Sequence, residues 1–327
     1  MPWNNATREL MRAAVRDRGV DAVAAERGIR RESVRRACRR AADSRGPDQC
    51  NKPEEVAVDA PAVLTKIAER YTDKELLALA HGALPQADFV RPIHDFTGRR
   101  LRIGVLSDTH LGSKYTNPDF VKMAFDEFAR YELDMVTVSG DVTEGLSRRD
   151  GHVYECTHVG FAAQKEHAVD VFGQWTDTPI YMIDGNHDRW FTKIAGAHIV
   201  QDICDELPNA EYLGEDEGDI YLSPTCVLKL WHGEDGSSYA TSYRLQKLIE
   251  SFTGGEKPAA LFAGHVHKQG YFFIRHVHCL GAGAVQTQSK WMRSKRLAAH
   301  AGFHIVELVL NDKGIASFRP EWFPFYV

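Results

Sequence analysis

The chain has 327 residues, enough for one large core and a smaller module, because single cores stop growing at roughly 250–300 residues. Its 43% hydrophobic and 26% charged content, with no apolar run near the ~20 residues of a membrane span, excludes a membrane-embedded or wholly disordered chain. The net charge of −5 hides an asymmetry: residues 1–45 hold twelve arginines, no lysine and six acids, a balance of +6, so the remainder carries −11.

The amino-terminal "MPWNNATREL" lacks an apolar signal core. The six cysteines (Cys38, Cys50, Cys156, Cys204, Cys226, Cys279) form no C-x-x-C pair, so free thiols and a cytoplasmic location are expected. Residues 1–45 form the first expected module, with three short helices over 6–18, 21–27 and 32–42 and turns at Gly19 and Gly28. The stretch "VDAVAAERGIRRESVRRACRR" resembles a helix-turn-helix, with Ala24, Gly28, Ile29, Val34 and Ala37 at its small, turn and core positions. That resemblance implies a third helix that reads DNA, where Arg31, Arg35, Arg36 and Arg39, with Arg30 and Arg40, meet phosphates or base edges. A solvated basic hairpin, or one that contacts a protein, is the competing reading.

Residues 46–98 are expected to be a linker and a helical segment. Pro47, Pro53 and Pro61 punctuate a polar stretch, and Thr72 and Glu75 form a capping box at the start of "YTDKELLALAHG". From residue 99 to 327 the pattern becomes α/β. "LRIGVLSD", "LDMVTVSGD" and "PIYMIDGNHD" read as strands separated by helical stretches, and a strand-rich second half follows with "NDKG" as a hairpin turn. Two packed sheets with flanking helices, preceded by a small all-α module, accommodate the whole.

Five polar clusters fall at or just after these strands: Asp108-x-His110, Gly140-Asp141, Gly185-Asn186-His187-Asp188, His232-Gly233 and Gly264-His265-x-His267. Crevices beyond the carboxyl ends of α/β strands are where ligands bind, so separate strand ends can converge on one site. Nitrogen and oxygen donors without thiolate suit manganese, iron or zinc, and two carboxylates suit a pair of cations. His276 and His278 mimic the last cluster, but no glycine turn precedes them and they are read as non-ligands.

The ordered blocks D-x-H, G-D-x-x-E, G-N-H-D, H-G and G-H-x-H, over about Leu101 to Leu280, resemble a calcineurin-like metallophosphoesterase. The resemblance implies a two-sheet sandwich and a dinuclear site. Asp108, His110 and His267 would hold the first metal, Asn186, His232 and His265 the second, and Asp141 would bridge them. Manganese is the first expectation, with zinc, iron, magnesium or nickel as alternatives. His187 would protonate the leaving oxygen as general acid, and Glu144 would orient it, with Asp188 the rival for that role. Gly185 is expected to supply a sharp turn.

The same family acts on many phosphate esters, so substrate rests on local features. Arg148, Arg149, Lys290 and Arg293, with Lys295 and Arg296, could grip a phosphate backbone, and Trp291 or Tyr154 could stack on a base. With the basic module, these point to a DNA nuclease. The alternatives are a phosphatase or cyclic-nucleotide phosphodiesterase on small or protein substrates, and a DNA-binding regulator with an inert core. Homodimers are common in that family.

Overall fold

The computed structural model describes residues 92–325, apart from 235, 237–239 and 254, together with Ala14, Ala22, Val23, Ala25 and Thr72. The chain divides after Leu64 into two compact units, and the sheets belong to the second. Of the expected helix-turn-helix module only Ala14, Ala22, Val23 and Ala25 are described, each helical; Arg31, Arg35, Arg36 and Arg39, the linker, and the helix expected near residue 75 lie outside the described residues.

Among the described residues eleven strands build two sheets. The first contains β1 (Arg100–Leu106), β2 (Met135–Ser139), β3 (Ile180–Asp184), β4 (Ala210–Glu215), β10 (Gly302–Asn311) and β11 (Gly314–Pro324), in the order β11-β10-β1-β2-β3-β4. The second contains β5 (Glu217–Ser223), β6 (Cys226–Trp231), β7 (Ala260–Ala263), β8 (Gln269–Ile274) and β9 (Val277–Ala282), in the order β5-β6-β7-β9-β8. Strands β1 to β4 run parallel, as do β6, β7 and β9. The turn between β10 and β11 falls at Asp312 and Lys313, where "NDKG" predicts it.

Side-chain alternation explains why the sheets stack. Leu101, Ile103 and Val105 of β1 and Tyr181 and Ile183 of β3 face Leu228, Leu230, Phe262 and Leu280 of the second sheet. Their neighbours Leu106, Val136, Val138, Ile180 and Met182 point the other way, onto α1 (Pro118–Tyr131), α2 (Phe161–Phe172) and, beyond α3 (Arg189–Ala195), α4 (Ile199–Glu206). On the outer face of the second sheet, Leu261, Ala263 and Cys279 meet Leu245 and Ile249 of α5 (Thr241–Ser251). A last short helix, α6, spans Lys290–Ser294. Strands buried on both faces read as continuous apolar runs, as these do. Among the described residues no helix is long and apolar enough to cross a membrane.

Candidate metal centre

Each of the five polar clusters follows a strand of a parallel set. Asp108 and His110 follow β1, Asp141 follows β2, Asn186 and His187 follow β3, His232 follows β6, and His265 and His267 follow β7. The strand ends converge and bring the seven expected ligands together. Asp108 Oδ1 lies 3.2 Å from His267 Nε2 and 4.0 Å from His110 Nε2. His110 Nε2 lies 3.5 Å from Asp141 Oδ2. The same Asp141 oxygen is 3.1 Å from His232 Nε2. Asn186 Oδ1 completes the second half, 3.2 Å from His232 Nε2 and 2.8 Å from His265 Nδ1.

Backbone strain concentrates here. Of ten non-glycine residues with positive φ among those described, five are Asp108, His110, Asp141, His265 and His267. Left-handed geometry is costly for residues with a Cβ and persists where the surroundings impose it, commonly at functional sites. Glycines admit the close approach. A Cβ on Gly140 would meet His232 Nδ1 at 2.5 Å, and one on Gly264 would meet Ser107 Oγ at 2.3 Å. Gly185 corrects the expectation made for it: no positive φ requires glycine there, but a Cβ would stand 2.1 Å from Asp141 Oδ1. The chain does turn there, but what requires glycine is space and not a positive φ.

Neighbouring groups aim the ligands. His232 Nδ1 lies 2.7 Å from the Ser139 carbonyl, to which it can only donate, so Nε2 keeps its lone pair for the site. The amide N–H of His265 donates to both Asp108 oxygens, and the Ser107 hydroxyl donates to Asp108 Oδ2 at 2.6 Å. Asp141 Oδ1 accepts the His187 N–H at 2.8 Å, leaving Oδ2 to face His110 and His232.

The two candidate orienting acids act differently from their expected role. Glu144 reaches His187 through its main-chain carbonyl, which accepts from Nδ1 at 2.8 Å. Its carboxylate instead sits 3.1 Å from His110 Nδ1 and 3.0 Å from His152 Nε2, with Gln286 donating to it at 3.1 Å. Asp188 accepts the main-chain N–H groups of Val142, Thr143 and Gly185 and the Thr143 hydroxyl, tying the turn after β3 to the turn after β2. It is a tether and not a partner of the His187 ring.

Electrostatics follow this geometry. Burial alone would raise Asp108, but His267 and His232 outweigh it and hold the carboxyl at about 2. Asp141 and Glu144 are likewise held well below the carboxylate range despite burial, by His232 and His187 for the first and by His110 and His152 for the second. Burial would depress His110 and His232, yet the facing carboxylates lift both to about 9. For His187 and His265 burial wins, and each falls to about 4.

A cleft of about 450 Å³ opens over the cluster. Trp190, Trp291, Met292 and Leu297 form apolar walls, and the Trp190 ring lies against His187, tilted by 32° with centroids 3.9 Å apart. Among the basic residues expected to flank the site, Arg149 lines the cleft and pairs with Glu155, while Arg148, Lys290 and Arg293 are exposed. Tyr154 is 82% exposed. His152, Gln286, Trp190 and Arg244 escaped the sequence reading. Arg244 is buried, donates to the main-chain carbonyls of Gly264 at 2.8 Å and His232, and stacks over Trp231. Its only sequence signal is a charge on an otherwise amphipathic helix.

Residues 101–269 match the calcineurin-like phosphoesterase family. The DNA polymerase II small subunit of Methanothermobacter thermautotrophicus (strain Delta H) is 23% identical over 245 residues, covering 61% of this chain and 50% of that protein. The chain thus spans about half the length of that curated relative. Among solved structures, an archaeal phosphodiesterase shares 16% identity at a TM-score of 0.40, over 68% of this chain and 100% of that one. The E. coli phosphoesterase Yfce shares 17% at 0.39, over 67% and 98%.

Proposed function

Since this chain belongs to the calcineurin-like phosphoesterase family, we propose that its cleft holds two divalent cations and hydrolyses phosphodiester bonds, with DNA as the substrate. The observation that carries the reading is Asp141 Oδ2, one oxygen facing His110 on one side and His232 on the other. The donor set supports it. All seven side chains offer nitrogen or oxygen, and ligands of one ion at ~2.1 Å sit roughly 3–3.5 Å apart, as most of these do. The His110 and His267 Nε2 atoms face each other at 3.3 Å, so either one is protonated or both point at a cation.

Bound there, a pair of divalent cations supplies Lewis acidity and an activated water for in-line attack at phosphorus. Asp108, His110 and His267 would hold one, Asn186, His232 and His265 the other, and Asp141 both. His187 handles the proton. Its Nδ1–H is fixed on the Glu144 carbonyl, which leaves Nε2 for the cleft that the ring lines. Burial pushes the pKa of the ring down to about 4; protonated at Nε2 in the substrate complex, it would give that proton to the leaving oxygen and be reprotonated from solvent.

DNA as substrate is supported by three features. The curated relative is named as a subunit of a DNA polymerase, the aromatic side chains of Trp190 and Trp291 line the cleft, and residues 1–45 carry +6. The test is a substrate panel with full-length protein and Mn²⁺: linear, nicked and single-stranded DNA, RNA, cyclic nucleotides and phosphopeptides. Cleavage of DNA, lost by at least ~10³-fold in Asp141→Asn, is expected. Turnover confined to cyclic nucleotides or phosphopeptides would remove DNA and leave the phosphodiesterase or phosphatase alternative.

A further inference from the structure

A second group of potential ligands lies outside the cleft, where β3 and β4 end and α4 begins. Asp184, His198 and Glu215 each direct one donor atom inward, and the three atoms lie within 4.8 Å of one another. The sequence reading singled out none of them.

The local structure brings like charges together. The β3–β4 register shifts between Met182 and Ile183, so that Ile183 pairs with Gly214 and Asp184 with Glu215. Directly opposed carboxylates repel, and a sheet tolerates them only with compensation. His198 immediately precedes α4 yet makes no side-chain cap; its Nδ1 stands 3.2 Å from Glu215 Oε1 instead. Asp184 is 1% exposed, the Tyr212 hydroxyl donates to its Oδ2 at 3.0 Å, and its Oδ1 has no hydrogen-bond partner among the described residues. A buried carboxyl oxygen left without a partner costs more than an ordinary hydrogen bond contributes.

We propose that Asp184, His198 and Glu215 hold one further divalent transition cation. The set suits such an ion: one imidazole nitrogen and two carboxylates, without thiolate, with further positions open to water. Tyr212 orients the buried carboxylate from behind, as partners of metal-bound carboxylates do. Side-chain exposures of 38% for His198 and 45% for Glu215 give the ion a route in. Bound there, it would join the ends of two strands and the start of a helix, immediately before the Gly185–Asp188 turn.

The test counts cations per chain by elemental analysis after equilibrium dialysis of the full-length protein against Zn²⁺ and, separately, Mn²⁺. The expected result is one equivalent fewer in His198→Ala and in Glu215→Gln than in the unaltered chain, with Asp141→Asn lowering the count independently. Both exposed side chains can be changed without emptying a core. The rise in melting temperature on adding Zn²⁺ should also shrink in both variants. Equal counts and equal melting shifts in the unaltered chain and in both variants would overturn the third site. If only Asp141→Asn left the count unchanged, the cleft reading would fail and this one would stand.

Discussion

A methyl group at residue 185 would lie 2.1 Å from Asp141 Oδ1 and 2.3 Å from the Asp141 main-chain nitrogen; the first contact is relieved only by turning the carboxylate out of its place, and the second by no rotamer change. Gly185→Ala should therefore displace the shared carboxylate and abolish cation binding in the cleft, measured by calorimetric titration, while circular dichroism shows the sheets intact. Gly196 is the control. It has φ +66° with nothing within 4 Å of an added Cβ, so Gly196→Ala should cost about 1–2 kcal/mol of stability and spare the cleft. Glu144 is the second test at this scale. Its carboxylate lies between His110 and His152, and Glu144→Gln replaces an acceptor facing an imidazole N–H with a group that can present a donor. Metal affinity should fall about 10–100-fold, with no more than a small change in melting temperature.

Among the elements, α5 does more than cover the second sheet. Arg244 projects from it to hold the carbonyls of His232 and Gly264, the starts of two ligand-bearing turns. Arg244→Met keeps the length and removes both donors. It should lower stability by about 1–3 kcal/mol and weaken cation binding, read by denaturant melts with and without Mn²⁺. Such contacts mark the boundary of what could be read from the residues alone. The strands ending at Leu106, Ser139, Asp184 and Ala263 were legible because an apolar run buried on both faces stops abruptly at Asp, Asn or His. β4 was not singled out: its "AEYLGE" is partly exposed and carries no such contrast. The seven side chains that converge on the cleft were named by their blocks, but the setting of Glu144 was not, since it depends on Gln286, 142 positions away, and on a histidine in a 3-10 turn at His152–Glu155. Gly185 was identified as necessary for the wrong reason, because a need for space and a need for positive φ look alike until the neighbouring strand is in view.

For the whole molecule, acid is expected to act on the core as well as on the ligands. His304 on β10 is buried beside Trp322, and burial depresses its pKa to about 4. The unfolded chain binds a proton there below its ordinary value near 6.5, while the folded chain stays neutral until about pH 4. Its contribution to stability is thus intact above pH ~6.5 and lost progressively between about 6.5 and 4, by roughly 2–3 kcal/mol in all. With EDTA present to remove cations, His304→Leu should flatten this part of the stability profile relative to the unaltered chain, as seen in urea melts at successive pH values.

The division of donors between the layers has its own consequence. Asp108, His110, Asp141 and Asn186 hang from one sheet, and His232, His265 and His267 from the other. An ion pair seated among them acts as a rivet through the seam of the sandwich, and mass action adds about 2.7 kcal/mol for each site filled at a hundred times its dissociation constant. Chelation should therefore speed amide exchange first along the edges where the two layers meet, long before either layer unravels. In such a molecule, the supply of metal would govern how long the protein endures as well as how fast it works.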